Sequence, residues 1–242
     1  MIPPEQIRRQ VRAHYAARAG GGCCGEGPLA SGCCGAPEVS AGEEVLEHFS
    51  GPSLGCGSPL EYAGVRSGEV VVDLGSGAGR EVLLAARQAA PGGYAVGVDM
   101  TPEMVWKARE NAERTGIANA EFRLGEIEHL PLADCSADVV ISNCVINLVP
   151  DKRAAFREAF RVLRPGGRLV VSDIVTRGPI PETVRRSMEA WAACVGGALD
   201  LDDYLAAIRA AGFVDVEPVS TGTGTVFSVT VRARKPAAEA AG

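Results

Sequence analysis

From residue 69 onward the chain alternates apolar runs with amphipathic stretches. "EVVVDLG" (69–75), "YAVGVDM" (94–100), "AEFRLGE" (120–126), "ADVVISN" (137–143) and "RLVVSDI" (168–174) are short and mostly apolar, which predicts strands. Between them "GREVLLAARQAA" (79–90), "TPEMVWKARENAERTG" (101–116) and "DKRAAFREAFRVL" (151–163) repeat apolar residues at helical spacing. Thr101 is expected to cap the second of these helices, with Pro102 in its first turn. A "RPGG" turn is expected at 164–167, and helices over 181–194 and 200–211. "FVDVEPV" and "VFSVTVRARK" predict a closing antiparallel pair of strands. Upstream, Ile7, Val11 and Tyr15 recur at four-residue intervals in a predicted helix over 4–19. "AGEEVLEHFS" (41–50) reads as a short helix, and "GPSLGCGSPLEYAGV" (51–65) as turns and another short helix.

Strands separated by helices of this length predict βαβ units. The expected fold is therefore α/β, a doubly wound, mostly parallel sheet with an antiparallel C-terminal edge strand. The expected division is an N-terminal helix and Gly/Cys-rich flexible segment over 1–50, one domain over 51–235, and a frayed tail over 236–242. In such sheets ligands bind beyond the carboxyl ends of the strands. Cys144 follows one of those ends directly, where a polar working residue would be expected.

Composition narrows the function. Acidic residues outnumber basic ones by 30 to 24, a net charge of −6, which argues against a nucleic-acid partner. No apolar run approaches the roughly 20 residues that span a bilayer, and "MIPPEQIRRQVRAHYAARAG" has no signal-peptide core. The expectation is a cytoplasmic monomer that works away from membranes. In a reducing compartment, 8 cysteines point to metal binding or redox chemistry. Cys23, Cys24, Cys33 and Cys34 crowd into "GGCCGEGPLASGCCGAP", while Cys56, Cys135, Cys144 and Cys194 are spread over the rest.

A candidate cofactor site lies in "VVVDLGSGAGREVLLAA", where a strand meets a helix through Gly75, Gly77 and Gly79. Glycines here serve a tight turn, or allow a ligand to approach the backbone closely. A pyrophosphate is disfavoured, because Asp73 would repel it and would attract a cation instead. Asp99, at the end of the next strand, suits the hydroxyls of a ribose.

With "DLGSGAG" ahead of Asp99, the chain resembles class I methyltransferases. That resemblance implies S-adenosylmethionine bound by Asp73, Gly75, Ser76, Gly77, Asp99 and Met100. It also places Glu126 and Ile127 of "LGEIEHLP" along the adenine, and Asn143 toward the sulfonium. "SLGCGSP", "ISNCVINLVPDK" and "AACVGGAL", with "GVDMTPEM" and "LRPGGRLVVSDI", resemble the arsenite S-adenosylmethionine methyltransferases over roughly residues 50 to 219. The implied site is trivalent arsenic on Cys56, Cys144 and Cys194, with arsenite and methylarsenite as substrates and thioredoxin or glutathione as reductant. The chemistry is coherent, since trivalent arsenic is soft and thiolates are soft ligands.

Other readings stand beside this one. The cysteines would be incidental in a quinone-type C- or O-methyltransferase, and the cofactor fold vestigial in a noncatalytic arsenic-binding or sensing protein. The Cys23–Cys24 and Cys33–Cys34 pairs fit arsenic loading, a resolving thiol, a zinc site or an idle loop. Cys135 reads as a packing or loop residue, Asp173 as a sheet-edge carboxylate or turn cap, and His14, His48 and His129 as structural or exposed.

Overall fold

The structure is a computed structural model that describes residues 2–19, 49–50 and 55–238. Seven strands form one sheet: β1 (Val70–Leu74), β2 (Tyr94–Asp99), β3 (Ala120–Leu124), β4 (Ala137–Asn143), β5 (Leu163–Thr176), β6 (Val214–Thr221) and β7 (Val226–Arg234). Their order is β3-β2-β1-β4-β5-β7-β6. The first five pair in parallel, and β7 runs antiparallel to both β5 and β6. The expected α/β sheet is thus present, with β7 slotted inside and β6 at the rim. The strand order reverses between β1 and β4, so the crevice used by ligands in such sheets opens at their carboxyl ends.

Every residue of β1 is buried, as a strand covered on both faces requires. Successive side chains point to opposite faces. Val71 therefore joins Val82 and Leu83 of α3 (Arg80–Ala89), while Val72 and Leu74 join Phe156 of α5 (Lys152–Val162). Helix α4 (Pro102–Thr115) adds Val105 and Ala108 to the first core, and α8 (Leu201–Ala210) adds Tyr204 and Ile208 to the second. Helix α1 (Pro4–Ala19) buries Ile7 and Val11 in a third, smaller cluster at the carboxyl ends of the strands. That cluster also contains Cys144, Leu148 and Cys194.

Three local expectations change. The "RPGG" stretch is not a separate turn, because β5 already begins at Leu163 and slips register against β4 between Ala137 and Val139. Gly166, at φ +81°, lets its amide donate to the carbonyls of Lys235 and Pro236, which ties this excursion to the end of β7. The segment 181–194 is two short helices, α6 (Glu182–Arg185) and α7 (Met188–Ala192). Ser187 separates them, and its hydroxyl accepts from the Ala190 amide to cap the second. Thr101 stands at the start of α4, but its side chain makes no cap hydrogen bond. The segment 41–48 and Cys23, Cys24, Cys33 and Cys34 lie outside the described residues. A short helix, α2 (Pro59–Ala63), follows Cys56.

Candidate active site

The carboxyl ends of β1, β2 and β4 border a cleft that opens to solvent. Its floor is the glycine turn. Gly75 holds φ +72° and passes so close to Val145 that a Cβ would collide with it. Gly77, at φ +50°, has nothing within 4 Å of where a Cβ would be, so ligand can reach its backbone. All the residues expected to hold the cofactor (Asp73, Gly75, Ser76, Gly77, Asp99, Met100, Glu126, Ile127 and Asn143) line this one cleft.

The cleft is electrostatically unsatisfied. Asp73 is buried, and burial first, then Glu81 and Asp99, push its carboxyl well above the usual carboxylate range. Asp99 accepts from the Gly77 amide at 2.9 Å and the Thr101 amide at 2.8 Å. Burial outweighs those two bonds and still raises it. The Ser76 hydroxyl is buried with no hydrogen-bond partner among the described residues. A cationic ligand carrying hydroxyl groups fits these residues: it would offset the carboxylates and supply what Ser76 lacks. S-adenosylmethionine has both features.

Cys56 and Cys144 are joined by a disulfide, with Cα atoms 5.7 Å apart across 88 residues of sequence. Cys194 keeps its thiol and donates to the Cys144 carbonyl at 3.1 Å. All three sulfur-bearing residues belong to the small cluster under α1, and Cys144 also lines the cofactor cleft. Met100 lies on the border of both. Cys144 and Cys194 hold φ of +61° and +62°, a left-handed conformation seldom seen outside glycine, Asn and Asp. Such backbone strain concentrates at working sites. The Cys144 amide donates to Ser172 and the Cys194 amide to Trp191, which fixes both turns. Cys135 lies apart, exposed.

Several roles could not be read from the sequence. Asn143 accepts the Cys56 and Gly57 amides and donates to the Gly57 carbonyl at 2.7 Å, so its amide clamps the Cys56 segment. The flanking glycines are required there: a Cβ on Gly55 would overlap Asn143, and one on Gly57 would meet Ser172 at 2.8 Å. Tyr15 hydrogen-bonds Cys194, and burial, then that neighbour, keep its phenol protonated well beyond the usual range. Only its place in the apolar repeat of α1 marked it in advance. Arg8 reaches Glu126 at 3.4 Å and the buried Glu128 at 3.1 Å, bridging α1 to the cleft rim. Asp173 is fully buried, accepts from the Tyr204 hydroxyl at 2.8 Å and faces the amides of Ile146 and Asn147.

This sheet order, with a glycine turn and an acidic strand end around a cation-seeking cleft, defines a class I S-adenosylmethionine-dependent methyltransferase. A family model described as a methyltransferase domain matches residues 65–212. An arsenite methyltransferase from Halobacterium salinarum is 43% identical, with 97% of this chain and 68% of that protein covered. The arsenite methyltransferase of Aquipseudomonas alcaligenes is 40% identical over 76% of this chain and 56% of its own length. An arsenic (III) S-adenosylmethionine methyltransferase from Chlamydomonas reinhardtii, a crystal structure, superposes with TM-score 0.63 at 30% identity, covering 99% of this chain and 76% of that one. The chain belongs to the arsenite methyltransferase family. It spans from just over half to about two thirds of the length of these two sequence relatives.

Proposed function

We propose that this protein transfers the methyl group of S-adenosylmethionine to trivalent arsenic held by Cys56, Cys144 and Cys194. One observation carries the reading: three cysteines remote in sequence converge in one cluster, and that cluster shares Cys144 and Met100 with the cofactor cleft. A thiol used only for packing has no reason to meet two others at that spot. The names of the relatives point to the same substrate, arsenite, and methylarsenite fits the same three ligands.

S-adenosylmethionine, when bound, supplies an electrophilic methyl on a positively charged sulfur. Asp73 and Asp99 draw that cation into the cleft, the glycine turn admits its amino-acid end, and Ile127 lines the cleft as an apolar wall. Glu126, paired with Arg8, borders the same wall. Three thiolates bind arsenic as a pyramid whose lone pair points away from the sulfurs. Aimed at the methyl, that lone pair forms the arsenic–carbon bond as the carbon–sulfur bond breaks. No general base is needed, because no proton moves. Proximity and orientation of this kind contribute about 7–11 kcal/mol in well-organised reactions.

Methylation takes arsenic formally from the trivalent to the pentavalent state. Cys56 and Cys144 return two electrons by forming a disulfide, which breaks their bonds to arsenic and leaves trivalent methylarsenic on Cys194, from which water or an incoming thiol of the reductant displaces it. A Cys56–Cys144 bridge is what that step makes, and the two Cα atoms stand 5.7 Å apart, within disulfide reach. A thiol reductant of the thioredoxin or glutathione class then restores the thiolates. The test is incubation of reduced protein with arsenite, S-adenosylmethionine and glutathione, followed by arsenic speciation. Methylated arsenic is the expected product, and arsenite left unchanged by protein that binds the cofactor would overturn the proposal.

A further inference from the structure

Beneath the thiol cluster lies a group of buried charges that the reaction above does not use. Lys152, at the start of α5, is 9% exposed, while Asp173, Tyr204 and Asn147 are fully buried. The Lys152 ammonium donates to the carbonyls of Val149 at 3.1 Å and Asn147 at 3.4 Å. It also sits 5.2 Å from the centre of the Trp191 ring. Asp173 takes the Tyr204 hydroxyl and faces the amides of Ile146 and Asn147, although its Oδ1 closes no hydrogen bond of ordinary geometry. Burying such groups costs several kcal/mol unless they are held by partners. An apolar filling of the same volume would cost the fold less, so the cluster calls for another explanation.

Its contacts supply one. The single turn Ile146–Leu148 is separated from Cys144 by Val145 alone. Its amide end faces Asp173, and its carbonyl end is gripped by Lys152, so opposite charges hold the two poles of that turn. The Asn147 side chain donates to Ile174 at 2.6 Å, which anchors the turn to β5. On the far side, Trp191 belongs to α7, which leads into Cys194. Gly197 packs so tightly against the Asn147 carbonyl and the Trp191 ring that no Cβ would fit. Lys152 therefore touches both the turn that carries Cys144 and the helix that delivers Cys194.

We infer that Lys152, with Asp173 as its counter-charge, is a positioning residue that sets the separation of the Cys144 and Cys194 thiols so that both reach one arsenic atom. The inference rests on the arsenic reading above and names the residues that make the third arsenic–sulfur bond possible. Lys152→Met keeps the apolar stem and removes the donors. Lys152→Met combined with Asp173→Asn leaves no lone buried charge and serves if the single variant does not fold. Cofactor binding by calorimetry identifies folded protein, because neither residue lines the cleft.

Arsenic K-edge absorption of the reduced, arsenite-loaded protein counts sulfur neighbours. The expected result is three in the unmodified protein and two plus an oxygen in the folded variants. With it, kcat is expected to fall about tenfold to a hundredfold, while KM for S-adenosylmethionine changes less than about twofold. Three sulfurs and unchanged kcat in a folded variant would overturn the inference and leave the arsenic reading intact. Fewer than three in the unmodified protein would overturn the arsenic reading itself.

Discussion

Among single residues, Asp173 and Lys152 make the sharpest statement about pH. Burial raises Asp173 to about 7 and lowers Lys152 to about 8. A raised carboxyl contributes stability that is present below its unfolded value and is lost as pH climbs through 7. A lowered ammonium contributes stability that is present above its unfolded value and is lost as pH falls through 8. Stability of the cofactor-free protein should therefore decline from pH 5 to 7 and recover from pH 8 to 10. Asp173→Asn should flatten the lower limb, and urea titrations across that range would show it; an unchanged slope would contradict the assignment. The three site cysteines were legible because each lies in distinctive text. Asn143 as a clamp, Tyr15 beside Cys194 and Lys152 under the turn were not, since each acts on a segment brought near only by the fold.

At the scale of elements, the alternation of strand and helix showed plainly because each element is patterned by the sheet faces it covers. What failed was local. The break at Ser187 and the early start of β5 depend on hydrogen bonds to Ala190 and to residues 235–236, which no periodicity records. Helix α1 is the element whose consequence reaches furthest. Ile7 and Val11 are nearly unexposed at 4% and 1%, and their apolar face lies against Cys144 and Cys194. Ile7→Ala should cost about 2–5 kcal/mol if the gap cannot collapse. It should also weaken arsenite binding, because the thiols lose their floor. Denaturant unfolding together with arsenite titration would check both, and a stability loss with unaltered arsenite affinity would separate α1 from the site.

For the whole molecule, the charge pattern sets how the cofactor acts. The net charge is −6, and the cleft concentrates buried carboxylates whose mutual repulsion helps raise Asp73. A cationic ligand relieves that repulsion and stabilises the folded chain. At a hundredfold excess over Kd the gain is about 2.7 kcal/mol, or roughly 5–10 °C in Tm for a chain of this size. The shift should be smaller at acidic than at neutral pH, because protonating the raised carboxyls of Asp73 and Asp99 removes the attraction. S-adenosylhomocysteine, which lacks the sulfonium charge, should shift Tm less at either pH. Equal shifts for both ligands would mean that the carboxylates do not read that charge.

The account stands on three thiols acting as one site, and replacing a single sulfur tests that most directly. Reduced protein and its Cys144→Ser variant would each be incubated with arsenite, glutathione and S-adenosylmethionine labelled in the methyl group, and label carried by arsenic would be measured. Transfer should occur in the unmodified protein and fall by about a hundredfold or more in the variant, with cofactor affinity preserved. Transfer at an undiminished rate in Cys144→Ser would contradict the account.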